Sequence, residues 1–265
     1  MILAILGVGT MGEALLAGLI QAGWHKDNLR AADSRPLVRK QVARTHGVWD
    51  GTALHAVVGA DVVIIAVKPQ DIPELLREVG PVLASEALVI SLAAGVSNQT
   101  LESLLPFERP VVRAMPNTPA LVGAGMSAIS AGSFATPEHV TRAEEILSAV
   151  GKVAVVPEKY MDAVTAVSGS GPAYIMYVAE AMIDAGVMLG LPRPVATDLA
   201  KQTLIGSAKL LVDSGEHPTV LKERVTSPGG TTAAALRTFE DHGVKAGFLA
   251  AMEAAYKRSK ELGQT

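Results

Sequence analysis

Two glycine-bearing segments, near opposite ends of the chain, carry the residues best suited to chemistry. The first is Gly7-Val8-Gly9-Thr10-Met11-Gly12, placed directly after the apolar run Ile2-Leu3-Ala4-Ile5-Leu6. Its GxGxxG spacing suits a dinucleotide: Gly7 for a tight turn, Gly9 for close approach of backbone to pyrophosphate, and Gly12 for contact between helix and strand. The second is Leu-Lys-Glu-Arg-Val-Thr-Ser-Pro-Gly-Gly-Thr-Thr-Ala-Ala-Ala-Leu over residues 221–236. Pro228 has no backbone donor and Gly229-Gly230 allow unusual dihedrals, so the chain turns sharply there. Thr231 and Thr232 then stand at the mouth of a new helix, where unpaired N–H groups and the positive end of the dipole face outward. Such a mouth seats a small carboxylate with a hydroxyl beside it. The plain alternative is a joint between two helices with a threonine N-cap.

Other residues cluster around these two segments by type. Asp33 falls about 20 residues past the glycines, where an acid bonds the adenosine ribose and favours NAD. Ser34 and Arg35 follow it and suit a 2′-phosphate through a hydroxyl and a guanidinium. The two signals conflict. NADP(H) is favoured, on condition that Asp33 turns away or pairs with Arg35, and NAD(H) is the alternative. Lys68, in Ala66-Val67-Lys68-Pro69, ends a strand and could steady a phosphate or a substrate carboxylate, or be a surface lysine with its stem over apolar neighbours. Ala94 and Asn117 end two further strands. Asn117, between prolines, could meet a nicotinamide carboxamide or the substrate, or serve as a turn residue. The six histidines (His25, His46, His55, His139, His217 and His242) show no metal-ligand spacing, so no metal is expected, and they read as surface or capping residues.

These residues need a frame to position them. Strands are expected at 2–6, 29–33, 62–67, 88–92 and 111–115, with helices near 11–22, 36–46, 71–79 and 98–105. Strand–helix alternation with continuous apolar strands implies a parallel sheet covered on both faces. Residues 126–130 and 153–156 extend its edge, with a helix over 137–149. Beyond Val156 everything reads as helix: 159–168, 172–190, 193–214, 218–226, 231–242 and 244–262. The expected division is a Rossmann-type dinucleotide-binding domain over 1–157 and an all-α dimerisation and substrate domain over 158–265. The stretch 173–190 has almost the length of a membrane span, but Glu180 and Asp184 in its middle would be costly in a bilayer. It reads instead as a helix buried almost all round, in part by a second copy of the chain.

Composition narrows the classes. The chain has 265 residues, 49% of them apolar and 18% charged, which is a globular balance. A net charge of −3 gives no reason to expect nucleic acid or an anionic membrane as partner. Cysteine is absent, which excludes disulfides, thiolate metal sites and a cysteine nucleophile. With no signal-peptide layout at its start, the chain is expected in the cytoplasm.

Taken together, the segments GVGTMG at 7–12, AVKP at 66–69, AAGV at 93–96, RAMPNTPALVGAGM at 113–126, SGSGPAY at 168–174 and LKERVTSPGGTTAAAL at 221–236 make the chain resemble pyrroline-5-carboxylate reductase along its whole length. The resemblance implies NAD(P)H-dependent reduction of a cyclic imine, 1-pyrroline-5-carboxylate, to L-proline, with a helical second domain that pairs into a dimer or higher oligomer. It implies that Leu6, Gly7, Val8, Gly9, Thr10, Met11, Gly12, Ser34, Arg35, Ala66, Val67, Lys68 and Pro69 hold the cofactor, with Ala94 and Asn117 as further candidates. Ser227, Gly229, Gly230, Thr231 and Thr232 would bind the substrate carboxylate, Thr232 would bond the ring nitrogen, and Thr232 and Lys68 are the candidate catalytic residues. Asp33 departs from the pattern of NADP-using members. Two rival readings are a hydroxyacid dehydrogenase with Rossmann and helical domains, and a nicotinamide-binding sensor without turnover. The first would place a lysine and, four residues on, an asparagine in the helix after Gly171, and PAYIMYVAEAM has neither.

Overall fold

The computed structural model describes residues 1–263, so the last two residues of the expected second domain lie outside the described residues. The chain divides into two compact units, Gly171–Ala254 and the remainder, which comprises Met1–Ser170 and the tail from Ala255.

The first unit is built on a sheet of eight strands: β1 Leu3–Leu6, β2 Leu29–Ala32, β3 Trp49–Gly51, β4 Val62–Ile65, β5 Leu88–Ser91, β6 Val111–Met115, β7 Gly125–Ala131 and β8 Gly151–Val155, in the order β3-β2-β1-β4-β5-β6-β7-β8. The helices between them are α1 Thr10–Gln21, α2 Pro36–His46, α3 Ala53–Val57, α4 Ile72–Val79, α5 Asn98–Leu104 and α6 Pro137–Leu147. Because side chains alternate along a strand, each apolar strand feeds two cores. Leu3, Ile5, Ile64 and Ile90 pack with Leu15, Leu16 and Leu19 of α1 on one face. Ala4, Leu6, Ile65 and Val89 pack with Val57, Ile72, Leu76 and Leu101 on the other.

The structure departs from the expected sheet at two places. It is not wholly parallel: β7 runs antiparallel to β6, while the other adjacent pairs are parallel. The turn Thr118–Val122 reverses the chain between those two strands without a crossover helix, and only an antiparallel pairing permits so short a link. Second, β3 and α3 are additions. Trp49-Asp50-Gly51 is too short and polar to announce a strand. It is held by pairing with β2 and by the Arg30 guanidinium lying 5.9 Å from the Trp49 ring.

The border in composition at 157–158 marks where strands end, but the first compact unit runs on to Ser170. Helix α7 (Met161–Val164) and a π-helical turn over Thr165–Gly169 continue it, with Met161 and Ala166 buried.

The second unit holds α8 (Gly171–Met188), α9 (Arg193–Ser214), α10 (Pro218–Arg224), α11 (Thr231–Asp241) and the start of α12 (Val244–Leu262). Helices α8 and α9 pack closely: a methyl added at Gly186 would lie 2.9 Å from the Ala196 Cβ, and Arg193 pairs with Asp184 at 3.0 Å. Yet α8 has no buried residue in the single chain, and Tyr177 and Met188 are more than 70% exposed. The burial expected all round this helix is therefore not supplied by its own chain. Among the described residues, no helix is long and apolar enough to cross a membrane.

Candidate active site

Register brings the first group of predicted residues together. Leu6 pairs with Ala32 on one side and with Ile65 on the other, so β1, β2 and β4 end level. The residues that follow (Gly7, Asp33 and Ala66) therefore meet at one edge, where the strand order reverses beside β1. Ligands of open parallel sheets gather at such a switch point. A cleft of about 850 Å³ opens there, a size that suits a small-molecule ligand.

The glycine turn is shaped for close approach. Gly7 has φ +95°, and a methyl on it would lie 2.8 Å from the Ala66 carbonyl group. A methyl on Gly12 would lie 2.0 Å from the Gly7 carbonyl oxygen, which explains how α1 can start against β1. At Gly9 a methyl would meet only Nη2 of Arg35, at 3.7 Å, so this position opens onto the cleft. Those three environments match what a bound pyrophosphate needs from this loop: a tight turn, a bare approach and an unobstructed helix N-terminus.

Asp33 and Arg35 form a two-point pair. Arg35 Nε donates to Oδ1 at 2.9 Å and Nη2 donates to Oδ2 at 3.0 Å, while the Arg35 backbone N–H also donates to Oδ1. Burial works to raise the Asp33 pKa. The Arg35 hydrogen bonds and charge, with the Val8 backbone N–H, outweigh it and hold the carboxyl below its ordinary value. The same pair raises the pKa of Arg35 through its hydrogen bond to Asp33. The condition attached to NADP(H), that Asp33 pair with Arg35, is thus present in the geometry.

Of the predicted cofactor residues, Leu6, Gly7, Gly9, Ser34, Arg35, Ala66, Val67 and Lys68 line the cleft. Val8 and Gly12 are buried beneath it, Met11 packs on the core, and Thr10 begins α1. Pro69 opens a 3₁₀ turn next to Lys68. Ala94 sits in the loop after β5, outside the cleft wall. Asn117 uses both ends of its amide on the chain itself: Nδ2 donates to the Ser168 carbonyl at 3.1 Å, and Oδ1 accepts from the Met126 N–H at 2.8 Å.

The structure also adds residues to this cleft. Arg39 lines it, with a buried Nε that lacks a hydrogen bond and lies 3.6 Å from Asp50 Oδ2. Its i, i+4 spacing from Arg35, which immediately precedes the helix expected over 36–46, is a usable signal. Thr52 and Ala53 line it too, and they carried no signal because β3 and α3 were not anticipated. Gln70, Asp71, Glu74 and Glu78 complete the opposite wall.

The second predicted group belongs to the other compact unit. Gly229 has φ +69°, and the Gly230 N–H closes the turn onto the Ser227 carbonyl at 3.0 Å. The N-cap of α11 is Gly230, not a threonine, and no side chain caps this helix. Thr231 and Thr232 occupy its first turn, with their hydroxyls uncommitted among the described residues. Arg224, gripped by Glu216, braces the end of α10 before the turn.

Most of the histidines lie as surface or capping groups, but His46 departs from that expectation: it is largely covered, with Nε2 3.1 Å from Glu13 Oε1. His55 and His139 bond the N-cap threonines Thr52 and Thr136, and His217 is itself an N-cap. Among the described residues no cluster of His, Cys, Asp or Glu could hold a metal.

Comparison with known proteins accords with this geometry. The family described as "Pyrroline-5-carboxylate reductase dimerisation" matches residues 158–262, and "NADP oxidoreductase coenzyme F420-dependent" matches residues 2–95. The pyrroline-5-carboxylate reductase of Mycobacterium tuberculosis is 43% identical, covering 98% of this chain and 96% of that one. The solved pyrroline-5-carboxylate reductase of Coxiella burnetii superposes with a TM-score of 0.94 at 34% identity, covering 99% and 98% of the two chains. The pyrroline carboxylate reductase of Plasmodium falciparum, solved with NADP bound, gives 0.88 at 32% identity, covering 99% and 98%. Sequence, fold and the dinucleotide cleft lead to one assignment: the chain belongs to the pyrroline-5-carboxylate reductase family.

Proposed function

We propose that the protein reduces 1-pyrroline-5-carboxylate to L-proline, the last step of proline biosynthesis, with NADPH as the favoured coenzyme. Full-length identity to reductases of that name carries the activity. The Asp33–Arg35 pair carries the coenzyme preference. An acid free to point at the ribose would repel a 2′-phosphate. Here it is tied to Arg35, and Ser34, the outer face of Arg35, and Arg39 offer a hydroxyl and two guanidinium groups to the cleft. The relative from Plasmodium falciparum, solved with NADP, supports the same choice.

Bound nicotinamide supplies the hydride. The chain's own residues bind and orient. Gly7, Gly9 and the start of α1 would hold the pyrophosphate, and Lys68, at the cleft wall, would steady a phosphate. In the second unit, the uncapped first turn of α11 offers backbone N–H groups to the carboxylate, with Ser227, Gly229 and Gly230 shaping the turn. The Thr232 hydroxyl would donate to the neutral ring nitrogen and accept from its N–H once that nitrogen is protonated. An imine is basic enough to be protonated without a strong dedicated acid, so catalysis is mainly alignment of donor and acceptor carbons. Exposed apolar residues on α8 and an apolar hollow lined by Tyr174, Tyr177 and Phe248 support pairing with a second copy. A cysteine-free chain suits a reducing compartment such as the cytoplasm.

The test is direct. Purified protein should consume reduced nicotinamide only when the cyclic imine is supplied, with a lower KM for NADPH than for NADH. No turnover with either coenzyme refutes the activity, and a steep preference for NADH refutes the reading of Asp33.

A further inference from the structure

The π-helical turn Thr165–Gly169 is held by a side chain from far away in sequence. In an α-helix the Ser168 carbonyl would accept from the N–H of residue 172, but residue 172 is proline and has none. Asn117 supplies the missing donor: its Nδ2 reaches the Ser168 carbonyl at 3.1 Å across 51 residues of sequence. The same amide accepts from Met126 N–H, at the start of β7, at 2.8 Å. Two further contacts fasten the turn. Ser170 N–H closes on the Thr165 carbonyl at 2.8 Å, the i to i+5 bond of a π-turn. A methyl at Gly169 would lie 2.6 Å from the Met115 Cε, so the end of β6 and the turn are in close contact.

Location gives this fastening a consequence. With the glycine turn and Asp33 on the β1–β2 side, the adenosine half of a dinucleotide lies there. A dinucleotide bound that way would extend its nicotinamide half toward the carboxyl ends of β4, β5 and β6. The loop after β6 carries Asn117 between Pro116 and Pro119. We infer that Asn117 is a positioning residue for the reduction: it locks the loop after β6 and the π-turn into one rigid wall on the nicotinamide side, acting through the Ser168 carbonyl that Pro172 leaves without a donor. This inference rests on the proposed activity for its catalytic consequence, but not for its structural one.

Three variants test it: N117A, N117D and the double variant N117A/P172A, which restores an N–H at residue 172. The structural readout is hydrogen exchange without substrate. N117A should speed exchange at the Met126 and Ser170 amides, whereas N117D, which keeps an acceptor, should protect Met126 and loosen only Ser170. Unchanged exchange in N117A overturns the inference whatever the substrate proves to be. The catalytic readout follows once wild-type turnover is in hand. N117A and N117D should lose about 10- to 100-fold in kcat, the scale of an ångström-sized misplacement. Their coenzyme dissociation constants should stay within about twofold of wild type, and N117A/P172A should regain at least about threefold in kcat. The inference is overturned by a wild-type kcat in N117A, by coenzyme affinity that falls in step with kcat, or by a double variant no faster than N117A. If N117A fails to fold, N117D and N117D/P172A carry the same comparison.

Discussion

Gly9 and Gly12 belong to one motif, but the structure assigns them separable jobs, and alanine at each should give opposite results. At Gly12 the new methyl lies 2.0 Å from a backbone oxygen, 3.1 Å from the Gly7 carbonyl carbon and 3.3 Å from Ile5 Cγ2. A backbone carbonyl does not yield as a side chain does, so α1 and β1 must separate by about an ångström, at the upper end of overpacking costs, about 3 kcal/mol. Alanine's helix propensity offsets about 1 kcal/mol, leaving a loss of about 2 kcal/mol. For a chain of this size that lowers Tm by about 4–8 °C. At Gly9 the backbone is already extended, with φ −74°, and the methyl meets only the end of Arg35 at 3.7 Å. Stability should be unchanged, but the methyl occupies the surface that a pyrophosphate approaches. Losing one charge-assisted bond, about 1.5–3 kcal/mol, weakens coenzyme binding by about 10- to 150-fold. Thermal melts without coenzyme and fluorescence titration with NADPH read the two effects separately. A G12A protein as stable as wild type, or a G9A protein that melts with G12A, would falsify this division of labour.

Three further outcomes are expected. Replacing Arg35 by Ala frees the Asp33 carboxylate and removes a cation from the 2′-phosphate corner, so the ratio of kcat/KM for NADPH over NADH should fall by at least about tenfold. A ratio within about twofold of wild type speaks against the pairing argument. Because Asp33 is held below the ordinary 3.8, the folded state binds fewer protons than the unfolded state in that range. Its contribution to stability is therefore complete above about pH 4 and is lost as pH falls through the folded value, so D33N should show a flatter acid limb in Tm against pH. Finally, T232A should lower kcat by about 100-fold, the low end for loss of a proton donor, since water can substitute. An unchanged rate removes Thr232 from the mechanism.

The residues themselves announced most of the frame and the family. Buried parallel strands need unbroken apolar runs, helices need a periodic stripe, and a pyrophosphate turn needs glycines at fixed spacing, so local composition carried these features. The six helices after Val156 could be read for the same reason. Other features depended on partners distant in sequence. Trp49–Gly51 becomes a strand only because β2 and Arg30 receive it, and β7 reverses only because a short turn leaves no crossover. Whether Asp33 faces a ribose or an arginine is a choice of rotamer, and residue types alone left it open. Asn117 looked equally like a ligand or a turn residue until the Ser168 carbonyl and the Met126 N–H appeared at its two ends. Residue types and spacings state what a segment can do alone. Which donor meets which acceptor across 51 residues of chain is decided by packing.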